Sequence, residues 1–127
     1  MDIQLTYHRR HTTTTQVGQL SIGSEQPVRI QTMANTSTND IDGSVAQAER
    51  CIAAGTELLR FTTQGIREVE SLAQIRKELC SMVKDSVVPL VADVHFQSDV
   101  ADAAAQVVEK VRINPGNYID PARKFKQ

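Results

Sequence analysis

A chain of 127 residues and 14.0 kDa has room for one domain with a sizeable core and too little for two ordinary ones. With 14 Lys and Arg against 15 Asp and Glu the formal net charge is −1, so nothing argues for a nucleic-acid or membrane footprint spread over the whole surface, and any anion site must be local. Aromatics are only 4% and Trp is absent, so the core has to be aliphatic, and no apolar run approaches the roughly 20 residues of a membrane span.

Met1-Asp2-Ile3-Gln4 lacks the basic and apolar segments of a secretory signal, and the chain is expected in the cytoplasm. Arg9 and Arg10 read as a solvated pair near a terminus. From Thr12 to Gly23 β-formers dominate, with Gly18 where a turn would fall, which predicts an N-terminal hairpin capping a larger unit. After Pro27 the run Val28 to Met33 predicts a strand that dissolves into the polar loop Ala34 to Asp40. The loop ends in good helix N-caps, and its hydroxyls Thr36, Ser37 and Thr38 read as capping groups before ligand donors. A helix follows from about Ile41 to Ala54, with Val45, Ala48 and Ile52 on one face and Gly55 at its stop.

The second unit is a strand over Glu57 to Thr63, a turn at Gln64-Gly65 and a long helix through Ile66, Val69, Leu72, Ile75 and Leu79. The third runs from Val87 to Phe96 as a strand and then as a helix carrying Val100, Ala101, Ala104, Val107 and Val108. The fourth strand, Val111 to Asn114, stops in an Asn-Pro-Gly-Asn turn. Cys51 and Cys80 fall inside the helical patterns with no C-x-x-C neighbour and read as structural thiols.

Ile30, Leu59, Val91 and Ile113 recur at separations of 29, 32 and 22 residues, which suits parallel strands joined by single crossover helices. An open doubly wound sheet and a (β/α)8 barrel both fit this pattern. No Gly-rich phosphate fingerprint follows the first strand, which weakens the nucleotide-binding version. The expected fold class is α/β: the N-terminal half of a (β/α)8 TIM barrel, about four βα units over residues 27–127, preceded by a β-hairpin within 1–26. A whole barrel takes about 250 residues and another helix starts in Ala122 to Gln127, so the chain is expected to be part of a longer protein.

Side chains alternate along a strand, so Arg60 and Thr62 share a face, as do Asp93 and His95, and Arg112 and Asn114. In a barrel the strand ends carry the site, and these residues converge there. A guanidinium on an interior face is costly unless an anion meets it, and its fork suits phosphate oxygens, so Arg60 and Arg112 point to a phosphate or diphosphate substrate. The alternative use of the same arginines is a buried ion pair with Asp93. His95 beside Asp93 is a candidate polar or acid/base group, and a zinc site there lacks a third ligand. Asn114 and Asn117 flank Pro115-Gly116 as ligand amides or as turn chemistry.

Gln31-Thr32-Met33, Arg60-Phe61-Thr62-Thr63-Gln64-Gly65, Val91-Ala92-Asp93-Val94-His95-Phe96 and Arg112-Ile113-Asn114-Pro115-Gly116-Asn117, in this order, resemble the 4-hydroxy-3-methylbut-2-enyl diphosphate synthase family, the iron-sulfur enzymes of the non-mevalonate isoprenoid pathway. The resemblance implies a TIM barrel holding 2-C-methyl-D-erythritol 2,4-cyclodiphosphate opposite a C-terminal domain with a [4Fe-4S] cluster. It also implies reductive ring opening fed by a donor such as ferredoxin or flavodoxin; a homo-oligomer is expected separately, because half a barrel leaves sheet edges and apolar surface uncovered. Arg60 and Arg112 would bind the diphosphate, with Asp93, His95, Asn114 and Asn117 lining the same pocket. The Thr63-Gln64-Gly65 turn, and Tyr118 with the basic stretch after it, resemble the larger form of the family, which carries an extra domain. The family's cluster cysteines have no counterpart here, so no metal ligand or catalytic group is assigned and the chain alone is expected to be inactive. The competing readings are a redox-free phosphate-binding barrel synthase or lyase and a non-catalytic half-barrel that dimerises.

Overall fold

In the computed structural model, which describes residues 8–82, 88–95 and 97–116, the chain first reverses at Gly18. Strands β1 (Thr15–Val17) and β2 (Leu20–Ile22) pair antiparallel with Val17 opposite Leu20, leaving a two-residue loop. Gly18 has φ +60, the positive value that a type II′ turn needs at its first central residue. The predicted hairpin is therefore present.

Three βα units and a fourth strand follow: β3 (Gln31–Met33), α1 (Ile41–Ala53), β4 (Leu58–Thr63), α2 (Ile66–Met82), β5 (Leu90–Val94), α3 (Ser98–Ala104) and β6 (Lys110–Arg112). Helix α1 starts because the Asp40 side chain accepts the Gly43 N–H. It stops in a Schellman arrangement: Gly55 N–H donates to Ile52 O, Thr56 N–H donates to Cys51 O, and Gly55 takes φ +103, which an L side chain resists. The four strands are parallel and lie in sequence order, β3-β4-β5-β6. A doubly wound sheet reverses its strand order partway, whereas this order continues as a barrel does.

One face of the sheet meets the helices. Leu59, Phe61, Leu90, Ala92 and Val94 pack there with Val45 and Ala48 of α1, Val69, Leu72 and Ile75 of α2, and Val100 and Ala104 of α3. Phe61 is fully buried, and withdrawing such a side chain from water contributes about 2–3 kcal/mol. On the opposite, inner face Leu58 and Val91 pack under Val17 of the hairpin, with Leu20 and Ile22 at its edge. The hairpin thus covers the N-terminal end of the inner face, and its tip is tight: a Cβ on Gly18 would lie 3.2 Å from Glu109 Cγ.

Two ion pairs brace this end. Arg29 donates to Ser21 O of the hairpin and pairs with Glu57 at 3.0 Å, while Arg76 of α2 pairs with Glu109, whose carboxylate also accepts the Leu90 N–H. Two elements differ from expectation. The first parallel strand begins at Gln31 and not at Val28, because the Ile30 N–H is taken by the Glu57 carboxylate and its carbonyl accepts from both Glu57 and Leu58. Helix α3 stops at Ala104 and not near Val108, since the next bonds tighten, Gln106 to Ala103 and Val107 to Ala104, and Val108 turns into the core. Cys51 is half-buried against the core, whereas Cys80 is exposed on α2, so only the first acts as an interior thiol.

Candidate anion site at the strand ends

Strand β5 is the middle of the site because it is buried along its whole length and has a neighbour on each side. Register sets Asp93 beside Thr62 of β4 and Arg112 of β6, and sets Arg60 one row lower beside Val91. Asp93 is 1% exposed, and both of its oxygens are engaged. Oδ2 accepts from Arg60 Nη2 at 2.7 Å, Oδ1 accepts from Arg112 Nη1 at 3.0 Å, and His95 Nε2 lies 3.4 Å from Oδ2. Arg60, Asp93, His95 and Arg112, four residues expected at the site, therefore form one cluster. The open question over the arginines resolves in one respect: both pair with Asp93.

Burial alone would raise the Asp93 pKa, but the hydrogen bond and charge of Arg60, with His95 and Arg112 behind them, hold it below the usual carboxylate value. Two guanidiniums against one carboxylate leave a unit of positive charge within the trio. The Arg112 and His95 side chains are each 37% exposed, so the charge faces an open side. Arg60 Nε is buried and makes no hydrogen bond, a desolvation cost of about 1–3 kcal/mol that the described residues do not offset. Buried ion clusters seldom outperform apolar packing for stability, and the surplus charge here lies on the side where Arg112 and His95 are exposed.

The remaining expected residues divide. Asn114 Oδ1 accepts the Gly116 N–H at 3.1 Å, so that oxygen serves the turn, and Asn117 lies outside the described residues. The loop hydroxyls do not cap α1, which Asp40 does: Thr38 donates to Thr62 O of β4, and Thr36 Oγ1 lies 2.8 Å from Ser44 Oγ on α1. Met33 belongs to the Gln31-Thr32-Met33 motif but is not among the expected site residues. It is the register partner of Arg60 on the inner face and is 49% exposed at a strand end, an apolar wall beside the charge. A run of three residues, Gln31 to Met33, is too short for alternation to show its inward face. A cleft of about 350 Å³ lined by Arg29, Gln31, Leu58 and Lys110 lies at the hairpin end instead, where Arg29 already spends its donors on Ser21, Gln26 and Glu57.

The GcpE TIM-barrel domain matches residues 12–127. The chain belongs to that family. Among its relatives, the 4-hydroxy-3-methylbut-2-en-1-yl diphosphate synthase (flavodoxin) of Bacteroides fragilis is 54% identical over 95% of this chain and 19% of its own length. The enzymes of the same name from Bacteroides thetaiotaomicron and Chlamydia muridarum are 53% and 43% identical over 95% and 92% of the chain, in each case 19% of the relative. The chain thus spans about a fifth of the length of the curated relatives it matches. In GcpE terms, β3 to β6 are consecutive staves of the barrel, and the Asp93 cluster sits on its inner face toward the strands' C-terminal ends, where barrel chemistry is carried.

An iron-sulfur cluster, implied by the family, finds no seat among these residues. Cys51 and Cys80 lie on α1 and α2 on the outer face of the GcpE sheet, and no group of three or more His, Cys, Asp or Glu is gathered for a metal among the described residues. Among those residues, too, no helix is long and apolar enough to cross a membrane.

Proposed function

We propose that this chain is the substrate-holding part of a 4-hydroxy-3-methylbut-2-enyl diphosphate synthase, which reductively opens 2-C-methyl-D-erythritol 2,4-cyclodiphosphate. Residues 27–127 supply the first four βα units and residues 1–26 the segment with the hairpin. The observation that carries this reading is the surplus positive charge of Arg60 and Arg112 around Asp93 at the strand ends. Two guanidiniums on neighbouring strands present planar forks to the oxygens of a diphosphate. His95 and Asn114 stand at the same end, and Asn117, by the family resemblance, completes the pocket with them.

The cluster that supplies the electrons is held by residues outside this chain, so the chain is inactive by itself. Its electron donor is a flavodoxin or ferredoxin, the first being the donor in the relatives' names. The whole protein is of the larger, three-domain form, works in the cytoplasm and assembles as a homo-oligomer. The lyase reading is the weaker one, because it needs an amine at the site: among the described residues Lys110 opens β6 and lines the cleft at the hairpin end, and Lys77 lies on α2.

The test is turnover of the cyclodiphosphate by the full-length protein prepared without oxygen. Arg112→Ala and Arg60→Ala are each expected to lower kcat/KM by roughly 100-fold, the scale for removing one partner of a desolvated charge contact. Near-normal turnover in both variants overturns the assignment.

A further inference from the structure

The diphosphate reading leaves open what a buried anion is doing in the middle of an anion site. A carboxylate beside a diphosphate repels it, and Asp93 has no surface to offer, being 1% exposed with both oxygens occupied. The arginines it holds come from different strands, one on each side of β5. Two guanidiniums converging from flanking strands repel each other, and a carboxylate shared between them offsets that repulsion and keeps them together. Each spends a single nitrogen on it in these bonds, Nη2 of Arg60 and Nη1 of Arg112, out of the five N–H groups a guanidinium carries.

We propose that Asp93 is a positioning residue: from the buried middle strand it holds Arg60, Arg112 and the ring of His95 in a preformed cradle for the diphosphate, and it does not itself touch the substrate. This rests on the diphosphate reading and can fail without it. The proposal sets two physical effects against each other with opposite signs. If Asp93 were only a counter-charge, Asp93→Asn would remove a repulsive neighbour and free two cations, and the anion would bind more tightly. If Asp93 positions the arginines, the same variant loses the geometry, and binding weakens despite the extra positive charge.

The experiment uses the full-length protein and two probes, inorganic diphosphate in calorimetry and the cyclodiphosphate in steady-state turnover, with Arg112→Ala run alongside. Circular dichroism and thermal melting report whether each variant is folded. Asp93→Asn is expected to weaken diphosphate binding by roughly 10- to 100-fold, and to lower kcat/KM mainly through KM. Asp93→Glu, which keeps the charge and moves the carboxylate by one methylene, is expected to weaken binding as well, whereas a pure counter-charge role leaves it unchanged. Equal or tighter binding by Asp93→Asn, with Arg112→Ala still impaired, overturns the positioning role and spares the diphosphate reading. Unimpaired binding by Arg112→Ala overturns both. If neither Asp93 variant folds, Asp93 belongs to stability, and the positioning role is overturned.

Discussion

Asp93 is the residue through which the site's chemistry and the fold's stability meet. Its pKa is lowered in the native state, so the native chain holds that proton more weakly than the unfolded chain does. The stabilisation from its ionised form is therefore complete above the unfolded value, about pH 4, and is lost as the pH falls through the lowered native value. Urea midpoints followed from neutral pH downward are expected to drop below about pH 4 in the unmodified protein, with a shallower drop in Asp93→Asn. Superimposable acid limbs would show that the carboxylate is not the group being protonated. Sequence alone placed Arg60, Asp93 and Arg112 on strands and paired each with a neighbour two positions away. It could not say which arginine meets the carboxylate, because alternation fixes a face and not the register between strands. The register, Asp93 beside Arg112 and one row above Arg60, is what lets one carboxylate serve both.

At the scale of elements, the helices and the central strands were legible because their apolar spacing is long and unbroken, as in Val69, Leu72, Ile75 and Leu79 of α2. The ends of the short elements were not, because they are set by single distant partners. Glu57 lies 27 positions from Ile30 and takes the N–H that would otherwise have extended β3. The hairpin's presence and its capping role were readable from the sequence, yet the residues it covers were not, since β1 and β2 are three residues each and carry little pattern. That use is specific: Val17 is 5% exposed and seals Leu58 and Val91 at the end of the inner face away from Asp93. Val17→Ala is expected to destabilise the protein by about 2 kcal/mol through lost transfer energy and the cavity left behind. Denaturant unfolding measures it. A loss no larger than that of an exposed β1 substitution such as Gln16→Ala would mean that the hairpin rests on the sheet without closing it.

Across the described residues the parallel sheet has two open edges. Among the described residues β3 and β6 each have one neighbour, so the outer side of β3 presents unpaired backbone groups. Large apolar side chains stand at the same edge: Val28 is 90% exposed, Ile30 58% and Met33 49%. A barrel closes by pairing its first strand with its last, and the GcpE family is built that way, so this edge has the character of a seam. Such an edge, left open, is a template for another chain. Expressed alone, these 127 residues are expected to self-associate, and light scattering reads the mass directly. Ile30→Lys places a charge on the seam and is expected to shift the chain toward monomer. In the full-length protein, where further staves cover the edge, the same substitution buries that charge, and the expected effect is a lower melting temperature with no gain in monomer. A strictly monomeric chain, indifferent to Ile30→Lys, would mean that the β3 edge is protected by the chain's own residues and that the sheet is finished as it stands.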